Sequence, residues 1–551
     1  MGLTLGSGVF RLNMESWRAA TLDHRTYFFL LLAITLGMYF ALPKHGDIDW
    51  PDASRHALNG AFVLDFLQQL PWRHPIDFAY DYYRQWPALT ILFYPPLFYG
   101  VLAAVYAALG VSEASALLTE LAFLLLLAWG AFRLSRHWLD PPPALAVALL
   151  LMGAPELAFW GRQIMLDVPA YAFLVWAAEF LVRHLKSGQK WALFGAVICA
   201  VAAAYTKYNA IFFVVPIAIS LAYAYGWRVF RQRAVLQAAA LGGVLLLPLV
   251  GIFFAFGSYN LGQAAALPAA GASRWSIAEL TYYARIMPSV ISWPTLAFAC
   301  LYVLVLPFAP ALRLARADAV FLASWLLVGY AFYAMIAVKE PRHILFVTYP
   351  LALAAVLVID RTLAKVNFRY GVSLAFAAAI LAVTLTTGTI PVVAGMRQAA
   401  EEVAQLAPPE TNVGFWGSRD GTFVYAMRAY SGRRDLGVVR LDKILLSDVA
   451  VYVEHGFKEN EISPDELTDT LYNLHVQYVV FQTRYHDGLA SAKALEETLG
   501  SDKFSEVERI PMTANYGKGY MADLVIYRLN AEVPRGRIAP SMQIKLLGRS
   551  L

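Results

Sequence analysis

What most limits the fold of this chain is a succession of apolar runs, each roughly 16–25 residues long, over its first 393 positions. A helix rises about 1.5 Å per residue and satisfies its own backbone polar groups, so a run of that length crosses the ~30 Å hydrocarbon layer of a bilayer. The runs fall at 27–42, 114–132, 143–160, 168–182, 191–206, 210–225, 234–256, 290–310, 320–338, 344–359 and 371–393. With 59% hydrophobic and only 15% charged residues, the chain is not a soluble enzyme. A net charge of +5 is too small to point to a nucleic-acid partner. Cys199 and Cys300 both sit inside apolar runs, so neither a disulfide framework nor a cysteine metal site is supported.

One further run, 94–110, decides the orientation of all that follows. Left out of the count, it lets Arg133 and Arg136, then Arg183, Lys186 and Lys190, then Arg228, Arg231 and Arg233 fall on one side. Arg313, Arg316, Arg361, Lys365 and Arg369 join them there, with Arg11, Arg18 and Arg25 ahead of the first run. Basic loops mark the cytoplasmic side. The segment 94–110 therefore reads as an interfacial helix opened by Pro95 and Pro96. The expected fold is an α-helical polytopic membrane protein with about eleven transmembrane helices plus interfacial helices and a C-terminal soluble α/β domain. Residues 1–26 form a cytoplasmic N-terminal segment ahead of a signal anchor, 27–393 the transmembrane domain with its first outer loop at 43–113, and 394–551 the extracytoplasmic domain. In that domain 412–416, 437–439, 476–481 and 523–529 read as strands, and 421–430, 448–455, 464–474 and 490–499 as helices. No glycine-rich phosphate fingerprint opens any of these helices. No Asn-x-Ser/Thr acceptor occurs there either, which favours a bacterial inner membrane over a eukaryotic one.

Three outer segments hold polar groups that a plain anchor does not need. The loop 45–87 carries Asp47, Asp49, Asp52, Arg55, His56 and Asp65. The short loop 161–167 carries Arg162 and Asp167. Lys207 ends one run, and Lys339, Glu340, Arg342 and His343 precede another. Carboxylates and cations thus meet at headgroup depth. This suits transfer of a sugar from a polyprenyl phosphate, whose chain lies in lipid while its phosphate and sugar lie at the interface. Such a transfer needs a carboxylate to take the acceptor hydroxyl's proton, a role for Asp52. It also needs fixed cations against the leaving phosphate, for which Arg55, Lys207, Lys339 and Arg342 are candidates.

Pro51-Asp52-Ala53-Ser54-Arg55-His56-Ala57 resembles the PDE-x-RYA motif of the GT-C glycosyltransferases related to protein O-mannosyltransferases and the lipid A aminoarabinose transferase. Tyr94-Pro95-Pro96-Leu97 is similar to their (K/H)PPL helix start, and Gly161 to Pro169 to their xxLDxP motif. Lys339 to Pro350 is loosely similar to their late outer-loop segment. The resemblance implies an inverting glycosyltransferase, using a lipid-phosphate hexosyl or pentosyl donor in cell envelope glycan biosynthesis. Asp52 would be its base, and Asp167 would organise the site or a metal. Around them, Arg55, His56, Tyr94, Arg162, Lys207, Lys339, Arg342 and His343 would bind donor phosphate or substrate. Its partners would be a polyprenyl-phosphate sugar, a lipid, glycan or protein acceptor, and membrane lipids. Three positions depart from the pattern: Ala53 replaces the second acid, Tyr94 the Lys or His, and His343 the Tyr. The loss of the second acid leaves no metal site assigned and no certain cofactor, with a divalent cation still open.

Each position also has a structural alternative. Asp52 and Asp167 could be helix N-caps, Lys207 and Lys339 snorkelling residues at helix ends, and Arg342 half of a local ion pair. The rival function is a transporter or flippase for a lipid-linked substrate. A transporter would set its ionisable groups near the midplane, often in repeated halves. Here the runs hold few charges, among them Glu120, Glu156 and Glu179, and no internal repeat is evident.

Overall fold

The computed structural model describes residues 23–43, 45–91, 93–256, 275–366, 368–447, 458–485, 488–516, 522–538, 543–544 and 549–550. Arg11, Arg18, most of the segment 1–26 and the helix expected over 448–455 lie outside the described residues. A helix or helix pair stands at each of the apolar runs, and the chain is a multi-pass membrane protein. Among the described residues seven helices are long and apolar enough to cross a membrane, or eight if one bent pair is a single span. Eleven crossings are not reached on length alone, because His24–Phe40, Pro141–Met152 and Lys190–Thr206 are shorter.

The departures from continuous helices have local causes. The run 143–160 is split into Pro141–Met152 and Pro155–Trp160, since Pro155 has no N–H to continue the ladder. At the break a Cβ on Gly153 would meet the Leu381 backbone at 2.8 Å, and the Gly153 carbonyl accepts from Thr384 Oγ1 at 2.7 Å. The break is therefore where the last long helix, Arg369–Thr387, packs closest. Helices Tyr282–Ile291 and Trp293–Val305 meet at 118° across Ser292, which has φ 75° and precedes the Pro294 turn. Helices Asp167–Ser187 and Pro341–Thr362 lie deep in the bundle, whereas Arg233–Phe256 is largely exposed on its flank.

Between the helices His24–Phe40 and Glu113–Ser135 come three more, Pro51–Gln69, Pro75–Gln85 and Leu97–Leu109. The last lies where the interfacial helix was expected, with Pro96 at its N-cap. The C-terminal domain is a mixed α/β layer. Its seven-stranded sheet runs in the order 47–48, 392–394, 504–514, 522–529, 476–482, 412–416, 437–440, and only the last three strands are mutually parallel. Strand residues alternate between two cores: Val413, Phe415, Val438 and Val480 face the side covered by helices Met396–Leu406 and Asp420–Tyr430, while Trp416, Val439, Val479 and Phe481 face the side covered by Pro464–Asn473 and Ala490–Leu499. The sheet's first strand, Asp47–Ile48, comes from the first loop, so that loop and the C-terminal domain form one structure.

A buried ion pair reinforces the union. Asp65 near the end of Pro51–Gln69 accepts two bonds from Arg428 Nη2, at 2.7 and 2.6 Å, and one from Tyr82 Oη at 3.0 Å. Asp65 is 5% exposed, so losing Arg428 would leave its charge in the core with only Tyr82 and the exposed Arg434, at 3.3 Å, beside it. Arg428→Met is expected to destabilise the docked state by about 3–5 kcal/mol. Thermal unfolding in detergent should show the loss, and the double variant Asp65→Leu/Arg428→Met should recover most of it.

Candidate active site

The helix Pro51–Gln69 begins earlier than a capping role for Asp52 requires. Trp50 occupies the N-cap, Pro51 and Asp52 form the first turn, and no side chain caps the helix. Freed from capping, the Asp52 carboxylate accepts from Arg342 Nη2 at 3.0 Å and keeps 29% of its side-chain surface exposed. Arg342 lies 290 residues on, in the 3₁₀ turn Pro341–Val347, and its Nε also meets Glu340 at 2.5 Å. Its guanidinium lies against a pair of indoles that pack edge to face with each other, 5.3 Å from the Trp160 ring centre and 6.0 Å from that of Trp50. One buried cation is thus shared by two accessible carboxylates.

Asp167 is the first residue of Asp167–Ser187 and it too makes no capping bond. Its Oδ1 accepts from Lys207 Nζ at 2.5 Å, and its Oδ2 is buried with no hydrogen-bond partner among the described residues. Lys207 sits just past the end of Lys190–Thr206 but points inward to Asp167, with only 10% of its side chain exposed, so it does not snorkel. Glu120 is fully buried, and among the described residues neither of its oxygens is hydrogen-bonded. The electrostatic set at this end of the bundle is therefore Asp52, Glu340 and Asp167 with Arg342 and Lys207.

The other expected residues divide. His56 is buried one turn behind Asp52, its Nδ1 2.8 Å from Tyr99 Oη and its ring edge-on to Tyr94 at 4.9 Å. His343 stacks on Tyr333 at 6.4 Å beside Arg342. Arg55, Arg162 and Lys339 are engaged elsewhere. Arg55 turns away to Asp420 of the C-terminal domain, at 2.9 and 3.2 Å. Arg162 ties two main chains, donating to Ala158 O at 2.8 Å and Gly388 O at 3.2 Å. Lys339 caps the end of Arg316–Met335 through Ala334 O at 2.6 Å and Ile336 O, with Tyr283 beneath it. Sequence reasoning missed Trp160 and Tyr99. Trp160 had a signal, since it directly precedes Gly161 of the short loop, whereas nothing in sequence linked Tyr99 to His56.

Burial works against ionisation of Asp52, but opposing charges, Arg342 first, outweigh it and hold the carboxyl below its usual range. Burial lowers His56 to about 4, so its ring is neutral at neutral pH. Among the described residues no three His, Cys, Asp or Glu side chains cluster as a metal ligand set.

Residues 94–253 match the family model of dolichyl-phosphate-mannose-protein mannosyltransferase. No curated protein matches the chain. Among solved structures, ArnT from Cupriavidus metallidurans bound to undecaprenyl phosphate is 14% identical with a TM-score of 0.59, covering 93% of this chain and 99% of that one. The chain carries the GT-C glycosyltransferase fold. Arabinofuranosyltransferase AftD from Mycobacteria, 15% identical with a TM-score of 0.55, covers 93% of this chain and 40% of its own. The oligosaccharyltransferase of Archaeoglobus fulgidus in its apo form, at 11% and 0.53, covers 84% and 70%. The resemblance drawn from the motifs around Asp52, Tyr94 and Asp167 therefore extends over nearly the whole GT-C fold, C-terminal domain included.

Because the folded His56 titrates near 4 and an unfolded one near 6.5, the unfolded state binds the extra proton between those values. Stability should fall as pH drops from about 6.5 to 4, by up to ~3 kcal/mol from this group, and then level. Melting temperatures of parent and His56→Gln across that window test it: the variant should show the shallower slope.

Proposed function

We propose that the chain is an inverting glycosyltransferase, moving a sugar from a polyprenyl-phosphate donor to an acceptor hydroxyl at the outer face of the membrane. The observation that carries this reading is the accessible Asp52 carboxylate paired with a buried Arg342. The solved ArnT structure, which holds undecaprenyl phosphate, supports the class of donor. In the reaction the acceptor oxygen attacks the anomeric carbon as the bond to the phosphate oxygen breaks, and Asp52 takes the acceptor's proton. Once Asp52 is neutral, Arg342 has lost one of its two anions. Its charge then falls on the departing phosphate at the moment that phosphate gains charge. Lys207, steered by Asp167, adds a second cation. His56, neutral and hydrogen-bonded to Tyr99, packs behind the helix turn without competing for the proton.

The orientation belongs to the same proposal: a bacterial inner-membrane protein, N-terminus cytoplasmic and C-terminal domain outside. The alternative is a transporter or flippase for a lipid-linked substrate, which needs no base. Transfer from a radiolabelled polyprenyl-phosphate sugar in membranes distinguishes them. Asp52→Asn should lower turnover by about 100-fold or more while donor binding stays within a few-fold. Lys207→Met should weaken binding of the polyprenyl phosphate itself. Parental transfer by Asp52→Asn would end the assignment of the base.

A further inference from the structure

The first turn of Pro51–Gln69 is the part of a helix with the fewest internal restraints, because its leading N–H groups have no carbonyl to bond. Here no side chain caps them. Yet the residues around Asp52 are held at nearly every position, and most of the holding comes from four consecutive residues of the C-terminal domain, Arg419 to Thr422. Thr422 Oγ1 donates to Ile48 O at 2.8 Å. Arg419 pairs with Asp49, which also accepts from Tyr516 Oη at 2.6 Å. Gly421 lies against Ser54 so closely that a Cβ would meet its Oγ at 2.6 Å. Asp420 accepts from Arg55 Nη2 on both of its carboxylate oxygens and is itself fixed by Arg440 at 2.6 Å. Arg55 passes that restraint on, since its Nη1 donates to Pro51 O at 3.1 Å, within the turn that carries Asp52.

Arg419 adopts a left-handed conformation, φ 60°, which a residue with a side chain adopts only when its surroundings impose it. The second anchor, Asp65 with Arg428, lies 13 residues further along the same helix, roughly 20 Å away at 1.5 Å per residue. One anchor fixes the far end of the helix and the other its catalytic turn.

We propose that the turn Arg419–Thr422 is the device that sets the position of the Asp52 carboxylate, with Asp420 as its principal positioning residue acting through Arg55. The inference rests on the reading of Asp52 as base. It gives the C-terminal domain a part in the transfer step beyond covering the membrane helices, and it gives Arg55 of the first-loop motif a task other than contact with phosphate.

Two measurements on the full-length protein test it, one independent of activity. In nanodiscs, Asp420→Asn should speed amide hydrogen exchange over residues 50–56 at least tenfold while exchange in helix Pro464–Asn473 stays at the parental rate. In the transfer assay the same variant should lose about tenfold in kcat with the donor KM within twofold, and Asp420→Glu, which keeps the anion, should recover much of it. Arg55→Met should lose a similar factor, and the double variant Arg55→Met/Asp420→Asn no more than either alone. Gly421→Ala, which presses on Ser54 without altering any charge, should also lower kcat more than it alters KM. Unchanged exchange at 50–56 overturns the proposal whatever the activity. Faster exchange with parental kcat overturns it too, as does a loss confined to KM. If Asp52→Asn transfers as fast as the parent, the reading of the base has failed instead, and the exchange data alone decide whether the turn is clamped.

Discussion

A single guanidinium, Arg342 between Asp52 and Glu340, is the tie on which this end of the molecule depends. It links the first loop to a turn 290 residues later, and it does so in surroundings where an unpaired charge would be costly. The indoles of Trp50 and Trp160, packed edge to face against each other, lie beside it. Everything near it is arranged by the same need for partners: Lys207 bends inward to Asp167, and Lys339 and Arg162 spend their donors on main-chain carbonyls. The result is a compact set of three carboxylates against two cations, in which Asp52 and Glu340 keep the most surface.

Much of this was legible in the sequence, for reasons that can be named. Long apolar runs announce helices because lipid permits nothing else. The strands 412–416, 437–440 and 476–482 are short, largely buried apolar segments, and the expected strands at 412–416, 437–439 and 476–481 fall on them. The strand Phe504–Ala514 escaped because Ser505, Glu506 and Val507 are exposed in succession and a bulge between Glu506 and Glu508 breaks the two-residue alternation. The helix Met396–Leu406 escaped as well, following directly on the last apolar run.

The site shows the same division. Asp52, Asp167, Lys207, Arg342 and His343 gather because their motifs sit at helix ends that meet. Arg55 stands three residues from Asp52, and helical spacing alone placed the two on one face. A side chain as long as arginine reaches several ångströms past that face, however, and its partner, Asp420, lies 365 residues away in a domain whose docking no local pattern reveals. Tyr99 was invisible for a related reason: an aromatic in an apolar segment looks like packing until its neighbour is known.

The pairing of Asp47–Ile48 with Val392–Val393, and of Val393 in turn with Ala514, joins the chain just after the first helix to the chain just after the last. A ribosome delivers these segments in order, so the first loop emerges long before the strands it joins. The loop bearing Asp52 must wait, its strand unpaired, until the helices between have been made and the final domain has begun to fold. Completion of the site is thereby tied to completion of synthesis. A chain halted partway carries every residue of the first-loop motif yet lacks the neighbours that hold it in shape.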